Sequence, residues 1–491
     1  MKLWKKIALG GVGAVAVLAG IVAVRTATYR PAGAVDVSAV QLARPVAVDQ
    51  AAAARHLSEA IQIQTVSHQD AADNDPAQWD RLHAWLASTY PAAHGAMTRE
   101  ILPNKALIYS WAGSDPALEP IVLMAHQDVV PVTPGTEGDW KHAPFAGEIA
   151  EGAVWGRGSI DDKGTLVTLF EAAEALAKTG FQPKRTVIIV SGQDEEAGGS
   201  GARAVAALFK ARGIRARFVL DEGMAVITDF PMLDRPVAVI GVGEKGYVTL
   251  KVVAPAAGGH SSAPPRETGV ETLSRAVLAI TGKPFPMKFA GPGADMIRAI
   301  APYASPVVRV AVANEWLFAP LLVSQIGATP AGAATLHTTI APTMLKGSPK
   351  ENVLPQDATA WINYRIAPGQ TAADILASAR AAAKGLDVQI GFSREPVDPS
   401  PVSSSSSESW KILAALASEG GALPVAPGLV TAGTDSRFLG PVARDVYRFS
   451  PMHASVSEFG MIHGTNEHMT LENLRRMTDF HTALIATAGS R

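Results

Sequence analysis

The chain has 491 residues, of which 47% are hydrophobic and 18% charged, a composition typical of a globular protein with two or three domains. Its formal net charge of −2 at pH 7, without a basic arm, argues against nucleic-acid binding. Cysteine is absent, which excludes disulfides, thiol catalysis and thiolate metal sites. Any bound metal must therefore be held by histidine, aspartate and glutamate.

Residues 1–30 have the pattern of an export signal. An apolar run over residues 7–24 is closed by Arg25 and preceded by three lysines, Lys2, Lys5 and Lys6. This pattern is typical of a signal peptide or signal anchor. The A-x-A-like triplet Ala32-Gly33-Ala34 lies well past the run, which favours an uncleaved membrane anchor followed by a tether over residues 31–45. We expect the protein to lie outside the cytoplasm, membrane-anchored or secreted, and in the periplasm if it is bacterial.

Helix and strand patterns alternate after this segment. Apolar residues at helical spacing predict helices over 51–63, 76–88 and 164–178. Apolar runs predict strands over 106–110, 121–125, 186–191 and 217–220. This alternation predicts an α/β fold with a mostly parallel sheet flanked by helices.

A different order begins near residue 246. The patterns predict strands and helices in the order β-α-β-β-α-β, over 247–253, 270–280, 338–345, 358–366, 372–384 and 386–392. This order is typical of a small two-layer domain. A linker-like segment and a helix over 410–418 then return to the first pattern. We therefore predict a large domain in two parts, 31–245 and 397–491, with a smaller domain inserted over 246–396.

Histidine and acidic residues cluster where predicted strands end. The strand at 121–125 runs into His126 and Asp128, which point to the same side because side chains alternate along a strand. Further groups follow other elements: Asp161-Asp162, Asp194-Glu195-Glu196, Asp221-Glu222 and the loop of His463. Singly, each acidic group could be a solvated loop or a helix start. Together, on strands of one sheet, they indicate one crevice in which divalent metal offsets the repulsion, and these residue types suit zinc.

The chain resembles the di-zinc exopeptidase and aminoacylase family of metallopeptidases. Seven stretches match in the family's order: MAHQDVVPV, WGRGSIDDKG, GQDEEAGGSGA, VLDEG, GGHSSAPP, ENVLP and MIHGTNE. The resemblance runs from about residue 45 to the end and is greatest to carboxypeptidase S and the secreted N-acyl-amino-acid hydrolases. It implies that the large domain is a zinc exopeptidase-like catalytic domain and that the inserted one is a lid or dimerisation domain.

The resemblance also implies five metal ligands. His126 and Asp221 would hold one zinc ion, Glu196 and His463 the other, and Asp161 would bridge them. The family's spacing favours Asp221 over its neighbour as the ligand. Two zinc ions are expected, although cobalt or manganese would suit the same residues.

Three further residues match the family's catalytic groups. Asp128 would orient the His126 imidazole, and Glu195 would act as general base towards a zinc-activated water and then protonate the leaving amine. His260 would stabilise the oxyanion, although a turn histidine capping a helix is the alternative interpretation. In dimeric relatives this histidine comes from the partner subunit, so a homodimer through the lid domain is one expectation.

Three positions match substrate contacts in the family. Asn352 and Arg365 would contact the carboxylate or carbonyl of the substrate, and Gly433 belongs to a loop near the substrate. Arg365 could instead be a strand-edge surface charge, and the Gly433 loop an ordinary turn. The implied activity is metal-dependent hydrolysis of an amide or peptide bond in small carboxylate-bearing substrates, either dipeptides or N-acyl amino acids. The alternative is a catalytically inactive, membrane-tethered binding module, which the intact set of central residues disfavours.

Overall fold

A computed structural model describes residues 2–31 and 39–491, with side chains from residue 12 onward. The N-terminal segment forms helix α1, Lys2–Ala27. In this described part of the chain, no helix combines the length and apolarity that crossing a membrane requires. Residues 32–38 of the predicted tether, which include the triplet Ala32-Gly33-Ala34, lie outside the described residues.

Helices and strands alternate along the rest of the chain. The remaining helices are α2 (Gln50–Ile61), α3 (Pro76–Thr89), α4 (Pro91–Ala96), α5 (Lys163–Lys178), α6 (Ser200–Ala211), α7 (Gly269–Thr281), α8 (Gly291–Ile300), α9 (Pro306–Ala313), α10 (Glu315–Ile326), α11 (Pro330–Leu336), α12 (Ala372–Ala382), α13 (Glu408–Ala417) and α14 (Leu471–Gly489). The strands are β1 (Thr98–Ile101), β2 (Leu107–Trp111), β3 (Ile121–Met124), β4 (Glu148–Ala150), β5 (Ala153–Trp155), β6 (Val187–Ser191), β7 (Ala216–Ile227), β8 (Val237–Glu244), β9 (Gly246–Pro255), β10 (Gly259–His260), β11 (Thr339–Lys346), β12 (Val353–Leu354), β13 (Asp357–Ile366), β14 (Gln389–Phe392), β15 (Val425–Val430), β16 (Ala443–Ala454) and β17 (His468–Thr470).

The largest sheet has eight strands in the order β1-β2-β6-β3-β7-β16-β8-β15. Four neighbouring pairs are parallel: β6–β3, β3–β7, β7–β16 and β8–β15. The pairs β1–β2, β2–β6 and β16–β8 are antiparallel. The predicted α/β fold with a mostly parallel, helix-flanked sheet is therefore confirmed. The carboxyl ends of β3, β6 and β7 lie at the same edge of this sheet.

Strand β3 is buried on both faces because its side chains alternate between two cores. Ile121 and Leu123 pack in the core that contains Phe170 of α5. Val122 and Met124 pack in the core on the other face, with side chains of α6. This two-sided burial explains the unbroken apolar run and fixes the point at which His126 leaves the sheet.

A second, four-stranded sheet has the order β11-β13-β9-β14, and all its neighbours are antiparallel. Helices α7 and α12 contribute to the core that covers one of its faces. The strands and helices follow the predicted β-α-β-β-α-β order, with α8 to α11 inserted after α7. All of them lie within the range 246–396. The division into domains at these residues stays a prediction.

Two central strands were underestimated or missed by the sequence patterns. The pattern predicted a strand over 217–220, whereas β7 continues to Ile227 and pairs with β16, which no pattern indicated. Gly223, with φ +138°, interrupts the apolar alternation of β7, and the β7–β16 pairing contains register shifts. An irregular strand of this kind has no clear period of two, so the pattern ends early.

A buried ion pair connects β8 and β16. Arg448 is fully buried, and its Nε donates to Glu244 Oε1 at 3.0 Å. The same Glu244 oxygen accepts hydrogen bonds from the backbone N and Oγ1 of Thr434, at 3.0 and 2.6 Å. One carboxylate therefore joins two strands of the sheet to the loop over residues 431–436.

We expect Arg448→Met to lower the free energy of unfolding by about 3–5 kcal/mol, because it leaves the Glu244 carboxylate buried without a cation. The matched control is Arg475→Met, which removes an exposed arginine paired with Glu472 and Asp479. Exposed pairs contribute less than about 1 kcal/mol. Denaturant unfolding followed by tryptophan fluorescence measures both variants, and equal losses would contradict the assignment of the Arg448 pair as a stabilising link.

Candidate active site

The candidate site lies at the carboxyl edge of the large sheet, where Asp161 is positioned between two imidazoles. Asp161 Oδ1 is 2.9 Å from His126 Nε2, and Asp161 Oδ2 is 3.2 Å from His463 Nε2. His463 Nε2 is also 3.0 Å from Glu196 Oε2. The structure thus brings four of the five predicted metal ligands together, with Asp161 in the central position.

The fifth predicted ligand, Asp221, has both carboxylate oxygens in hydrogen bonds to backbone N–H groups. Its Oδ2 accepts a hydrogen bond from Ser436 N at 2.8 Å, and its Oδ1 accepts one from Glu222 N at 3.0 Å. Glu222 instead approaches the site, with Oε1 3.6 Å from His126 Nε2. The ligand atoms of His126, Asp162 and Glu222 lie within 4.8 Å of one another. The geometry therefore favours Glu222, and the assignment of Asp221 stays a prediction.

Asp128 links the first histidine to the two neighbouring glutamates. Its buried carboxylate has Oδ1 3.3 Å from His126 Nδ1. The same carboxylate accepts hydrogen bonds from the backbone N of Glu195 and of Glu196, each at 3.1 Å. Asp128 can therefore orient the imidazole and also fix the turn that carries both glutamates.

Glu195 lies beside the ligand groups without belonging to them. The sets His126-Asp162-Glu222 and His126-Asp161-Glu196 could each hold a metal ion, and neither contains Glu195. Burial raises the pKa of the Glu195 carboxyl well above its usual range, and the negative charges of Asp435 and Glu196 add to that effect. A nearby, unligated carboxyl with a raised pKa is suited to take up a proton.

The clustered carboxylates give the site a strongly negative electrostatic potential. Burial raises the pKa of Asp162, Glu222 and Asp435, and neighbouring acidic groups raise them further. Asp162 Oδ1 and both carboxylate oxygens of Asp435 are buried without a hydrogen-bond partner. Hydrogen bonds to Asp161 and Glu196 raise the pKa of His463 to about 10, so these two carboxylates strongly favour the protonated, positively charged form of the imidazole. Oxygen and imidazole donors with this excess of negative charge fit divalent metal ions such as zinc.

The sequence did not predict the structural role of Glu467 at the site. Its fully buried carboxylate accepts hydrogen bonds from Arg157 Nη1 at 2.7 Å and from the backbone N of Gly158, Ile160 and Asp161 at 3.0, 2.9 and 3.1 Å. It therefore fastens the loop of Asp161 to the loop of His463. The motif placed Glu467 near a ligand, but only the three-dimensional contacts show what it holds.

His260 and Asn352 lie at the two-stranded antiparallel sheet formed by β10 and β12, where His260 is paired with Val353, the residue after Asn352. His260 is exposed, and its Nδ1 accepts hydrogen bonds from the N and Oγ of Ser262 at 3.1 and 2.8 Å. Ser261 N donates to Asn352 O at 3.2 Å, and Asn352 Oδ1 is buried without a partner. Among the described residues, no hydrogen bond or ion pair joins His260 to the carboxylate cluster. The structure therefore leaves its predicted oxyanion role as a prediction.

Arg365 contacts the loop that contains Gly433. Its Nη1 lies 3.5 Å from Thr431 O of this loop. At Gly433 a Cβ would lie 2.5 Å from Arg437 Nη1, so this loop passes closely over an arginine. Arg365 thus reaches from the four-stranded sheet to the loop next to the site.

Comparisons with known proteins place the chain in one family. Two curated relatives are 33% identical: "Probable carboxypeptidase S-like 2" of Dictyostelium discoideum, over 88% of this chain and 84% of the relative, and "N-fatty-acyl-amino acid synthase/hydrolase PM20D1" of Homo sapiens, over 88% and 87%. Carboxypeptidase S of Saccharomyces cerevisiae is 32% identical, over 84% of this chain and 80% of the relative.

Solved structures share the fold. An M20 family metallo-carboxypeptidase of Sulfolobus solfataricus superimposes with a TM-score of 0.65 at 17% identity, over 89% of this chain and 98% of the other. Human carnosine dipeptidase 1 superimposes with a TM-score of 0.60 at 14% identity, over 90% and 96%. Residues 122–487 match the family described as "Peptidase family M20/M25/M40". The chain therefore belongs to this peptidase family and is a hydrolase of the metallopeptidase type.

Proposed function

We propose that the enzyme hydrolyses the amide or peptide bond of small substrates that carry a free carboxylate, either dipeptides or N-acyl amino acids. The names of the relatives support both substrate types, since they include carboxypeptidase S and an N-fatty-acyl-amino acid hydrolase. The observation that carries the proposal is the position of Asp161 between His126 and His463, with Glu195 beside them.

The residues of the site are suited to two metal ions, which we propose are zinc, with cobalt or manganese able to take the same ligands. His126 and Glu222, or the predicted Asp221, would hold one ion. Glu196 and His463 would hold the other, and Asp161 would be shared. When bound, such ions polarise the scissile carbonyl and make a water molecule more acidic.

Glu195 is the proposed general base. Its carboxylate would take a proton from the attacking water and deliver it to the nitrogen of the leaving amine. Two features of the fold support this role. Asp128 holds the Glu195 backbone at 3.1 Å, and burial raises the Glu195 pKa so that the carboxyl can retain the proton between the two transfers.

His260 is the proposed oxyanion donor, together with Asn352 as a substrate contact. Because His260 is exposed and forms no hydrogen bond or ion pair with the carboxylate cluster in the part of the chain that the structure describes, this role requires closure of the four-stranded unit or the histidine of a second subunit. A homodimer through this unit is consistent with the second route.

The proposed location is outside the cytoplasm. It is supported by the lysine-led apolar run of residues 1–30, which is typical of export signals. Determining the N-terminal sequence of the mature protein distinguishes a cleaved signal from a retained anchor.

We expect Glu195→Gln to lower kcat by roughly 10²–10⁴-fold, because amide replacement removes the proton acceptor. Zinc content, measured by mass spectrometry, should be unchanged, whereas the matched Glu196→Gln variant should lose metal. The assay is hydrolysis of dipeptides and fatty-acyl amino acids with and without a chelator. A binding module without catalysis would show no hydrolysis in the wild type, and full activity of Glu195→Gln would exclude the proposed base.

The competing ligand assignments are separated by Glu222→Gln and Asp221→Asn. Because Glu222 faces His126 whereas Asp221 accepts a hydrogen bond from Ser436, we expect Glu222→Gln to retain one of two ions and Asp221→Asn to retain both. Metal content per chain after dialysis measures this directly. The reverse pattern would restore the ligand set that the family resemblance implies.

A further inference from the structure

Gln127 bonds the segment after β3 to the segment after β6. It lies between His126 and Asp128 and is fully buried. Its backbone N donates to Gly192 O at 2.8 Å, and its side-chain Nε2 donates to Ser191 O at 2.8 Å. The first segment carries a candidate metal ligand, and the second leads into the turn with both candidate glutamates. These two hydrogen bonds therefore fix how far apart the two groups of site residues lie.

His83 of α3 holds the side-chain amide of Gln127 in one orientation. The His83 side chain is buried, and its Nε2 is 2.6 Å from Gln127 Oε1. Both N–H groups of the Gln127 amide are used, since Nε2 also donates to Lys105 O at 3.1 Å. The amide oxygen therefore faces His83, and the imidazole donates from Nε2. Burial lowers the pKa of His83, so the donor at neutral pH is the uncharged imidazole.

Trp79, on the same face of α3, holds the second segment. Its Nε1 donates to Gln193 O at 3.1 Å, and the indole is buried. Residues four apart on a helix lie on one face, so Trp79 and His83 reach the two segments from the same side. Leu82 and Leu86 bury the helix itself in a main core of the large sheet. Helix α3 is therefore a fixed support to which both segments of the site are hydrogen-bonded.

Neither His83 nor Gln127 is placed to react with substrate. The two residue sets that could hold a metal ion include neither of them, and both side chains are buried. Their effect on the site passes through the backbone that they hold. A displacement of about 1 Å between reacting groups can lower a rate by roughly 100-fold. Residues behind metal ligands typically change metal affinity or activity by about 10- to 100-fold.

We propose that Gln127, with His83 and Trp79 of α3, fixes the distance between the first metal-ligand segment and the general base. This role rests on the proposed function, which supplies the ligand His126 and the base Glu195. Loss of one hydrogen bond from this set lets the two segments shift relative to each other. Metal binding and proton transfer then weaken together, whereas the surface that binds substrate stays unchanged.

The test uses the full chain with zinc added to saturation and N-lauroyl-leucine or glycyl-leucine as substrate. His83→Leu removes the donor and leaves the Gln127 amide free to turn. We expect it to lower kcat by roughly 10- to 100-fold with KM little changed, and to raise the Kd of zinc by roughly 10-fold. Competition with a chelator in the absence of substrate measures the zinc Kd. His83→Gln, whose amide N–H can take the place of Nε2, should restore most of both losses.

Trp79→Phe is a milder second variant, because it removes the indole N–H and keeps an aromatic ring in the core. We expect kcat to fall by roughly 2- to 10-fold, the value of one neutral hydrogen bond, with KM little changed. This variant decides the question if His83→Leu does not fold. Wild-type kcat and zinc Kd in folded Trp79→Phe would contradict the role of α3.

His481→Leu is the matched control. His481 is also a buried histidine, and its Nδ1 lies 3.1 Å from Thr168 Oγ1. We expect this variant to lower the melting temperature as His83→Leu does, while kcat and the zinc Kd stay as in the wild type. If His83→Leu also lowers only the melting temperature, its role is merely structural, and the inference is overturned while the proposed hydrolysis stays intact. A wild type that binds zinc but cleaves neither substrate would overturn the proposed function together with the positioning of Glu195.

Discussion

The structure depends on holding mutually repelling carboxylates at one edge of a sheet. Two unit charges 4 Å apart interact with about 4 kcal/mol at the effective dielectric typical near a protein surface, so such a group requires compensation. Lys163 offsets little of this repulsion. Asp128 and Glu467 favour its charged form, but the side chain is fully buried, its Nζ donates to the backbone Ala60 O at 2.9 Å, and burial lowers its pKa to about 7. Divalent cations would supply the rest.

Two buried carboxylates connect the end of the chain to this edge in a similar way. Glu467 accepts hydrogen bonds from Arg157 and from the backbone around Asp161, and Glu244 accepts them from Arg448 and Thr434. In both cases one acid is paired with one arginine and with backbone N–H groups, which offsets its burial. Residues 443–454 and 463–467 are therefore needed to assemble the site, although they are far in sequence from its first histidine.

Local patterns were sufficient for most of the fold and for part of the site. The apolar run of β3 predicted where His126 and Asp128 lie, because two-sided burial and alternation are properties of the strand itself. Other features depend on contacts between segments that are far apart in sequence, so a local hydrophobic pattern cannot predict them. They are strand β16, the hydrogen bonds of Glu467 and the stacking of Arg394 on Tyr247. The choice between Asp221 and Glu222 was equally hard, since adjacent residues on a strand point in opposite directions and Gly223 disturbs the register there.

The proposed arrangement gives a physical reason why one site could serve dipeptides and N-acyl amino acids alike. Both substrates end in the same amino-acid half, and they differ only on the acyl side of the scissile bond. Arg365 contacts the loop 431–436 at Thr431 O, and Ser436 N of the same loop donates to Asp221. In the proposed reaction the leaving nitrogen is that of the amino-acid half in both substrate types, so Glu195 would protonate the same atom in each. Selection among acyl groups then falls to surfaces outside the carboxylate cluster.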